Sequence, residues 1–515
     1  MKAGLVGNAS KGWTGFSTLE LMIAMAIMSI TLAGAVGATY ATQYWLIASQ
    51  TSNEGLYKAK TKIEDLRALV KQDFYQATSS ALTRSEDSTD PGDVACISGG
   101  LCYFTQATIT DLSSCSKYVE ARVSWQVSGY ATTTTSLFTN LTNVSEAIAL
   151  GGDCILNQPA GNWGSNTPQS VGAFINNPGK LFTGIDVLHK VIYATASTSP
   201  YFLVYAAPTS IGQNPTLVGS SNGTGVRLNA VDTVKDFSTG RTYAYVAQHA
   251  TTSQLGVFDV TDPSAPMLVA ERRLRGITPP GVFSEGWKVF AYGGRLYLTT
   301  RETAGNEFHI FNISVPAQPT EIGTGFQLNR TVNDFVVRDQ KVAGVIHRFV
   351  FLASDANVKE LGVLDVTNDV VLEIAFGNLA GSQDGYSVFL VGHQLYLGRA
   401  SNTSGSELYV FDTTNPATLS ASSLVGQGEV GADVTSLRVS GAYAFVGTSR
   451  SGQEFQVWNA DYLAWNPSVL NAGRFRSFSF PHLAPAGIDI DEDWIYAISR
   501  WANPSGDALR VLYTL

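Results

Sequence analysis

From Leu21 to Asn53 the chain carries no charged residue, and its first part, LMIAMAIMSITLAGAVGATYATQYW, is apolar on every face. A run of that length predicts a helix able to span a bilayer. From Glu54 the pattern changes. Leu56, Ala59, Ile63, Leu66, Val70 and Phe74 recur at three- and four-residue steps, the mark of a helix with one apolar stripe. No proline occurs between Met1 and Asp90. One continuous helix is therefore expected from about Phe16 to about Tyr75, its second half needing a small domain to cover the stripe.

The pattern then shifts to alternation. YVEARVSWQV (118–127) and TTSLFTNLTN (134–143) alternate apolar and polar residues around the turn-forming GYATT, which predicts a hairpin. NQPAGNWGSNTPQSVG (157–172) reads as a linker or surface loop. Beyond Gly184 the sequence repeats. One strand carries an aromatic residue at Tyr193, Tyr245, Tyr297, Phe351, Tyr396, Phe445 and Tyr496, placed at its end. A second strand follows as FLVYAAP, LGVFDVTDP, FHIFNISVP, LGVLDVTND, LYVFDTTNP, FQVWNADYL and LRVLYTL. Upstream strands such as KVFAYGG (288–294) and downstream ones such as MLVAERRL (267–274) bring each repeat to four. A four-strand unit at this period predicts a propeller, here of seven blades. The last copy stops on its third strand, so the outer strand that closes the ring is expected from Val171–Lys180.

Composition narrows the class. At 515 residues the chain should hold two or three domains. Charged residues make up 15% while Gly, Ser, Thr and Asn abound, as in extracytoplasmic β-rich proteins. A net charge of -9 argues against a nucleic-acid partner. The four cysteines, Cys96, Cys102, Cys115 and Cys154, fall in one window with no CxxC spacing. Two disulfides in an oxidising compartment are expected rather than zinc. Three connectivities are open.

The opening motif TGFSTLE, followed by the apolar run Leu21–Gly34, resembles the cleavage and methylation signature of type IV prepilins. More loosely, the hairpin resembles the last strands of minor pilins and pseudopilins. The resemblance implies a leader over 1–15, removed by a prepilin peptidase between Gly15 and Phe16, with Phe16 then N-methylated. It implies that Glu20 pairs with the terminal amine of a neighbouring subunit, since a carboxylate in an apolar bundle is costly unless paired. The domains expected are the leader, the pilin helix (16–76), a small α+β disulfide-bearing domain (77–156), a linker with the closing strand (157–182) and the propeller (183–515). LGVFDVTDPSAP, LGVLDVTND and LYVFDTTNP resemble LVIVD repeats, which imply a fold far more than an activity.

No catalytic constellation stands out. The six histidines are scattered, no phosphate loop or nucleophile elbow is visible, and the acidic run Asp489–Asp493 reads as a turn rather than a calcium loop. The expectation is no enzyme, no cofactor and no metal. Three to five places beyond the strand aromatic stand Arg301, Arg399, Arg450 and Arg500, with His249 in the second copy, Ser197 and Asp355 in others, and Trp501 beside Arg500. This is a candidate rim for an acidic glycan or another carboxylate-bearing surface. The expected protein is thus a minor or tip-located subunit of a type IV pilus or related filament, carrying a ligand-binding head. It would be a single-pass inner-membrane precursor, later exposed at the cell surface with other pilin subunits as partners. The alternatives are a pseudopilin of a type II secretion machine, whose propeller would meet a secreted substrate, and a surface-tethered enzyme.

Overall fold

The computed structural model describes residues 17–72, scattered positions between 74 and 84, most of 102–150, and 161–514 apart from 171–179, 278–284, 402–404, 480–484, 500–507 and a few single residues. Helix α1 spans Thr18–Gln72. Its start is set by a reciprocal cap: the Glu20 amide donates to Ser17 Oγ at 3.2 Å, and the Ser17 amide donates to Glu20 Oε2 at 3.0 Å. The first half is exposed, and α1 is long and apolar enough to cross a membrane. Its hydroxyls are turned inward. Ser29, Thr31, Thr39 and Thr42 donate to the carbonyls of Met25, Ile27, Ala35 and Ala38, one turn back.

The chain divides into two compact units. The first comprises residues 1–66, 80–108 and 120–138. Here Thr51, Gly55, Ala59, Ile63 and Leu66 form the buried stripe of α1. Leu56, expected on it, is 45% exposed. Gly55 takes the inward place because a Cβ there would lie 2.5 Å from the Trp125 ring. Tyr103 packs on Trp125 and donates to Glu54 Oε2 at 3.0 Å. These rings belong to a four-stranded sheet in chain order: β1 (Thr83–Arg84), β2 (Cys102–Ser113), β3 (Ser116–Gln126) and β4 (Thr133–Thr142). Strands β3 and β4 lie within two residues of the expected hairpin segments. Strand β2 is an addition to the expectation.

The second unit comprises residues 67–79, 109–119 and 139–515. Cys115 is wholly buried and disulfide-bonded. Cys96, Cys154 and the Cys102 side chain lie outside the described residues, so the pairing stays open. Helix α2 (Val144–Ala149) follows β4, capped by Asn143.

Among the described residues seven four-stranded antiparallel sheets follow in this unit, six with strands in chain order and the last with an outer strand from upstream of the first. Their innermost strands are Phe182–Leu188, Leu228–Lys235, Gly286–Tyr292, Val332–Val342, Gly385–Val391, Val434–Ser440 and Pro485–Asp491. Each innermost strand neighbours the next, and the last neighbours the first, so the sheets form a closed, propeller-like ring. The repeat aromatics sit mid-strand, not at strand ends. Each lies opposite a branched residue of the third strand: Tyr193 faces Val204, Tyr245 Val257, Tyr297 Ile310, Phe351 Val363, Tyr396 Val410, Phe445 Val457 and Tyr496 Val511. Such aromatic and β-branched pairs stabilise a sheet, and all of these are buried.

Polar side chains stitch each sheet to its successor. Gln254, Glu307, Glu360 and Glu407, just before the third strand, are fully buried and accept from the amides of Leu274, Leu328, Leu379 and Val430 in the segment leading to the next sheet. Nearer the axis, Asp489 accepts from the Val187 amide at 2.7 Å, Asp186 from Thr233 at 2.6 Å and Asp232 from Ala291 at 2.5 Å. The run expected to be an acidic turn therefore begins inside a strand, as part of the join between the last and first sheets.

The outer strand of the last sheet comes from before the first, as expected, and is described at β5 (Gln169–Ser170), just upstream of the expected 171–180, of which 171–179 lie outside the described residues. Ser170 pairs with Leu512 and Gln169 with Tyr513. The segment read as a linker also contributes Trp163, which is wholly buried against Phe445 at 5.1 Å between ring centres. An indole of that size cannot stay in water when a gap between sheets is open to it.

Candidate functional site

The second strand of each sheet ends on a buried residue: Ala196, Gln248, Thr300, Ser354, Arg399, Thr448 and Ser499. The next residue is the first on the rim, and the equivalent positions there are Ser197, His249, Arg301, Asp355, Ala400, Ser449 and Arg500. Strand side chains alternate between faces, so an offset of one residue changes the environment completely. The expected rim mixed three such positions.

Arg399 is the clearest correction. It is wholly buried, paired with the equally buried Glu360 at 3.1 Å, and donates to the Ala380 and Gln383 carbonyls. It holds the core rather than meeting a ligand. Arg450 lies one residue beyond the rim position and donates to the Val430 carbonyl at 3.0 Å. Arg500 and Trp501 lie outside the described residues. Of the expected rim, the structure brings together His249 and Arg301.

Both converge on Glu285, whose side chain is only 7% exposed. Arg301 Nε lies 3.1 Å from Glu285 Oε1, and His249 Nδ1 contacts Oε2. The Arg301 guanidinium lies over the Trp287 ring at 4.2 Å. Arg227 joins from the same sheet as His249: its carbonyl accepts from the His249 amide at 2.9 Å, and its Nε donates to Asn229 Oδ1 at 3.1 Å. Burial, with Arg301 beside it, pulls the Arg227 guanidinium below its ordinary value. Burial and the two arginines together pull His249 down, favouring its neutral form. Sequence reasoning missed Arg227, Glu285 and Trp287. Trp287 falls two residues before Val289 in an alternating strand, and nothing in the repeat singled it out.

The ring encloses a second feature, a cavity of about 160 Å³ on its axis. Asp186, Asp232, Asp489 and Arg438 line one side, and Phe290, Val336 and Phe389 the other. These three carboxylates each give an oxygen to a backbone amide of the next sheet, which makes them structural. Burial, with Asp232 and Asp489 nearby, pushes Asp186 well above the usual carboxylate range. Leu112 and residues 146–149 of the same unit meet the strands at one end of the axis. Glu146 accepts from the Tyr292 hydroxyl at 2.6 Å, Ala149 from the Gly293 amide at 2.8 Å, and Leu112 from the Ser440 hydroxyl at 3.0 Å. The Glu285 cluster lies at the opposite end of the same innermost strands. Among the described residues no group of three or more His, Cys, Asp or Glu is placed to hold a metal ion.

Residues 236–271 match the LVIVD repeat. The match covers the second, third and most of the fourth strand of the second sheet, and with the ring of sheets it makes this a propeller-like repeat-β fold carrying an LVIVD repeat. No curated protein matches the chain. Among similar solved structures, the computationally designed Ika8 protein is 11% identical, covering 67% of this chain and 99% of its own, with a TM-score of 0.41. The periplasmic gluconolactonase PpgL of Pseudomonas aeruginosa is 11% identical, covering 68% of this chain and 99% of its own, with a TM-score of 0.46. Likeness at this level transfers no activity to the LVIVD-bearing chain. The N-terminal sites are separate from it. Gly15 and Phe16 lie outside the described residues, and Glu20 caps α1 as described above.

Proposed function

We propose that this chain is a subunit of a type IV pilus or related filament, in which a seven-bladed propeller serves as a ligand-binding head rather than an enzyme. One observation carries the reading. Helix α1 divides sharply, with residues 17–47 exposed and apolar and Thr51, Gly55, Ala59, Ile63 and Leu66 buried on a sheet. A helix needed only as an anchor would not continue into a folded unit. One needed only for that unit would not leave a largely apolar stretch over residues 17–47 bare. A filament core built from such helices, with the folded part outside, accounts for both halves. The TGFSTLE motif supports the same reading: cleavage before Phe16 would put a free amine four residues from Glu20.

Glu20 then has two partners in succession. In the single chain it caps its own helix at Ser17. In an assembled filament the amine of a neighbouring subunit would replace that contact with a charge-paired one. The test is the N-terminus of the chain recovered from sheared surface filaments. An N-methylated Phe16 is expected. A chain found only in the membrane with Met1 intact, or released after cleavage within residues 33–45, would overturn the reading.

A further inference from the structure

We infer that the cluster of Arg227, His249, Glu285, Trp287 and Arg301 binds a carboxylate-bearing sugar on the propeller rim. This builds on the reading of the propeller as a binding head. Arg301 and the imidazole of His249 meet a single carboxylate, and the Arg227 guanidinium stands near enough to oppose Arg301, so two guanidinium groups share one carboxylate. An anion would relieve that crowding.

The donors are also unspent. Arg301 commits Nε to Glu285 and its face to Trp287, and its terminal amino groups meet no acceptor among the described residues. Arg227 commits only Nε, to Asn229. His249 commits Nδ1 to Glu285, which leaves Nε2 of the neutral ring as an acceptor for a hydroxyl. The Trp287 indole nitrogen is buried with no hydrogen-bond partner. A buried donor without an acceptor is costly, and the Trp287 N–H lies beside the half-exposed Arg301 and His249 side chains, which can reach the same ligand.

Trp287 breaks a pattern to stand there. At the equivalent position of other sheets, Thr183, Asn229, Asn333 and Thr435 each donate to the carbonyl that opens the next innermost strand: Leu228 at 2.5 Å, Gly286 at 2.6 Å, Gly385 at 2.8 Å and Pro485 at 2.7 Å. The third sheet gives up this stitch for an indole that props Arg301. Tyr386 and Ala486 fill the same position of the fifth and seventh sheets, so the departure is shared; what is particular to the third sheet is that the replacing indole lies under the Arg301 guanidinium.

The propped guanidinium presents a planar fork that suits a carboxylate. Glu285 disfavours a doubly charged phosphate but accepts from a hydroxyl. The Trp287 N–H and His249 Nε2 suit neutral oxygens. A sugar acid supplies all of these at once. Further round the ring the rim turns acidic at Asp355 and Asp384, where burial and Asp355 push Asp384 upward, so the preference is local to this sector.

The test uses the full chain in detergent micelles, titrated calorimetrically with a galacturonate trisaccharide, its neutral galactose counterpart, inorganic phosphate and poly-glutamate. Binding of the galacturonate alone is expected, weakening as salt rises. Arg227→Gln and Arg301→Gln should each weaken it about tenfold with unchanged melting temperature. Arg450→Gln should leave it unchanged. Equal binding by wild type and the Arg227→Gln/Arg301→Gln double variant, tighter binding of phosphate or poly-glutamate, or no binding of galacturonate at millimolar concentration would each overturn the assignment. Because the assay takes place in micelles, its failure leaves the filament reading standing, and the Phe16 measurement tests that reading alone.

Discussion

Arg399 and Glu360 lie 3.1 Å apart with both side chains wholly enclosed between two sheets. Neither charge reaches water, and each is further bonded to backbone: Arg399 to the Ala380 carbonyl and Glu360 to the Leu379 amide. Burial still pushes Glu360 above the ordinary carboxylate range, with Arg399 pulling the other way. Removing one partner strands the other. Arg399→Leu should destabilise the chain by about 3–5 kcal/mol. Chemical denaturation of the variant beside Arg450→Gln, which should be near neutral, checks this. Equal midpoints would show that the buried pair contributes nothing.

Asp186 sets a pH dependence. Its folded-state proton affinity is raised by burial and by Asp232 and Asp489. The proton is then held more tightly in the folded chain than in the unfolded one. Its contribution is full below the unfolded aspartate value of about 3.9 and is lost as pH rises through the raised folded value. Asp186→Asn keeps an acceptor for the Thr233 amide and removes the titration. The melting temperature of the wild type should therefore drop, relative to Asp186→Asn, as pH goes from 4 toward neutrality. Parallel curves for the two proteins would contradict this.

Gly55 predicts a steric limit. With a Cβ 2.5 Å from the Trp125 ring, Gly55→Leu cannot be accommodated without expelling the indole. Trp125 is 2% exposed, so its displacement should red-shift that residue's emission and open the first unit to protease. A substitution at the exposed Leu56, such as Leu56→Gln, should do neither.

Trp163→Ala should cost about 3–5 kcal/mol, the usual range for emptying a large aromatic site in a core. Limited proteolysis within residues 158–170 should accelerate in parallel. Retention of the wild-type melting transition would mean that the indole fills space without holding the ring.

The repeat strands were readable because each carries an aromatic residue and a branched partner in fixed register, as Tyr297 with Ile310 and Tyr396 with Val410. Local pattern and tertiary packing agree there. The rim was only half readable for the same reason. Arg399 stands three residues after Tyr396 and Arg301 four after Tyr297, a difference invisible to spacing but decisive on a pleated strand. Arg227 stands at the start of one innermost strand and Glu285 and Trp287 at the start of the next, and only the packing of neighbouring sheets brings the latter two to His249. Trp163 was misread because a lone aromatic among Gly, Asn and Pro looks like a loop. What it fills is created by sheets that lie hundreds of residues further along.

The join at β5 has a mechanical meaning. Among the described residues two register pairs, Ser170 with Leu512 and Gln169 with Tyr513, make a short zip. Trp163 sits beside it like the bolt of a latch. A pull arriving along the polypeptide from before residue 161 would load that bolt before it reached the ladder of any complete sheet. The ring should therefore part at one known seam, swinging open with its other sheets intact, rather than fraying everywhere at once.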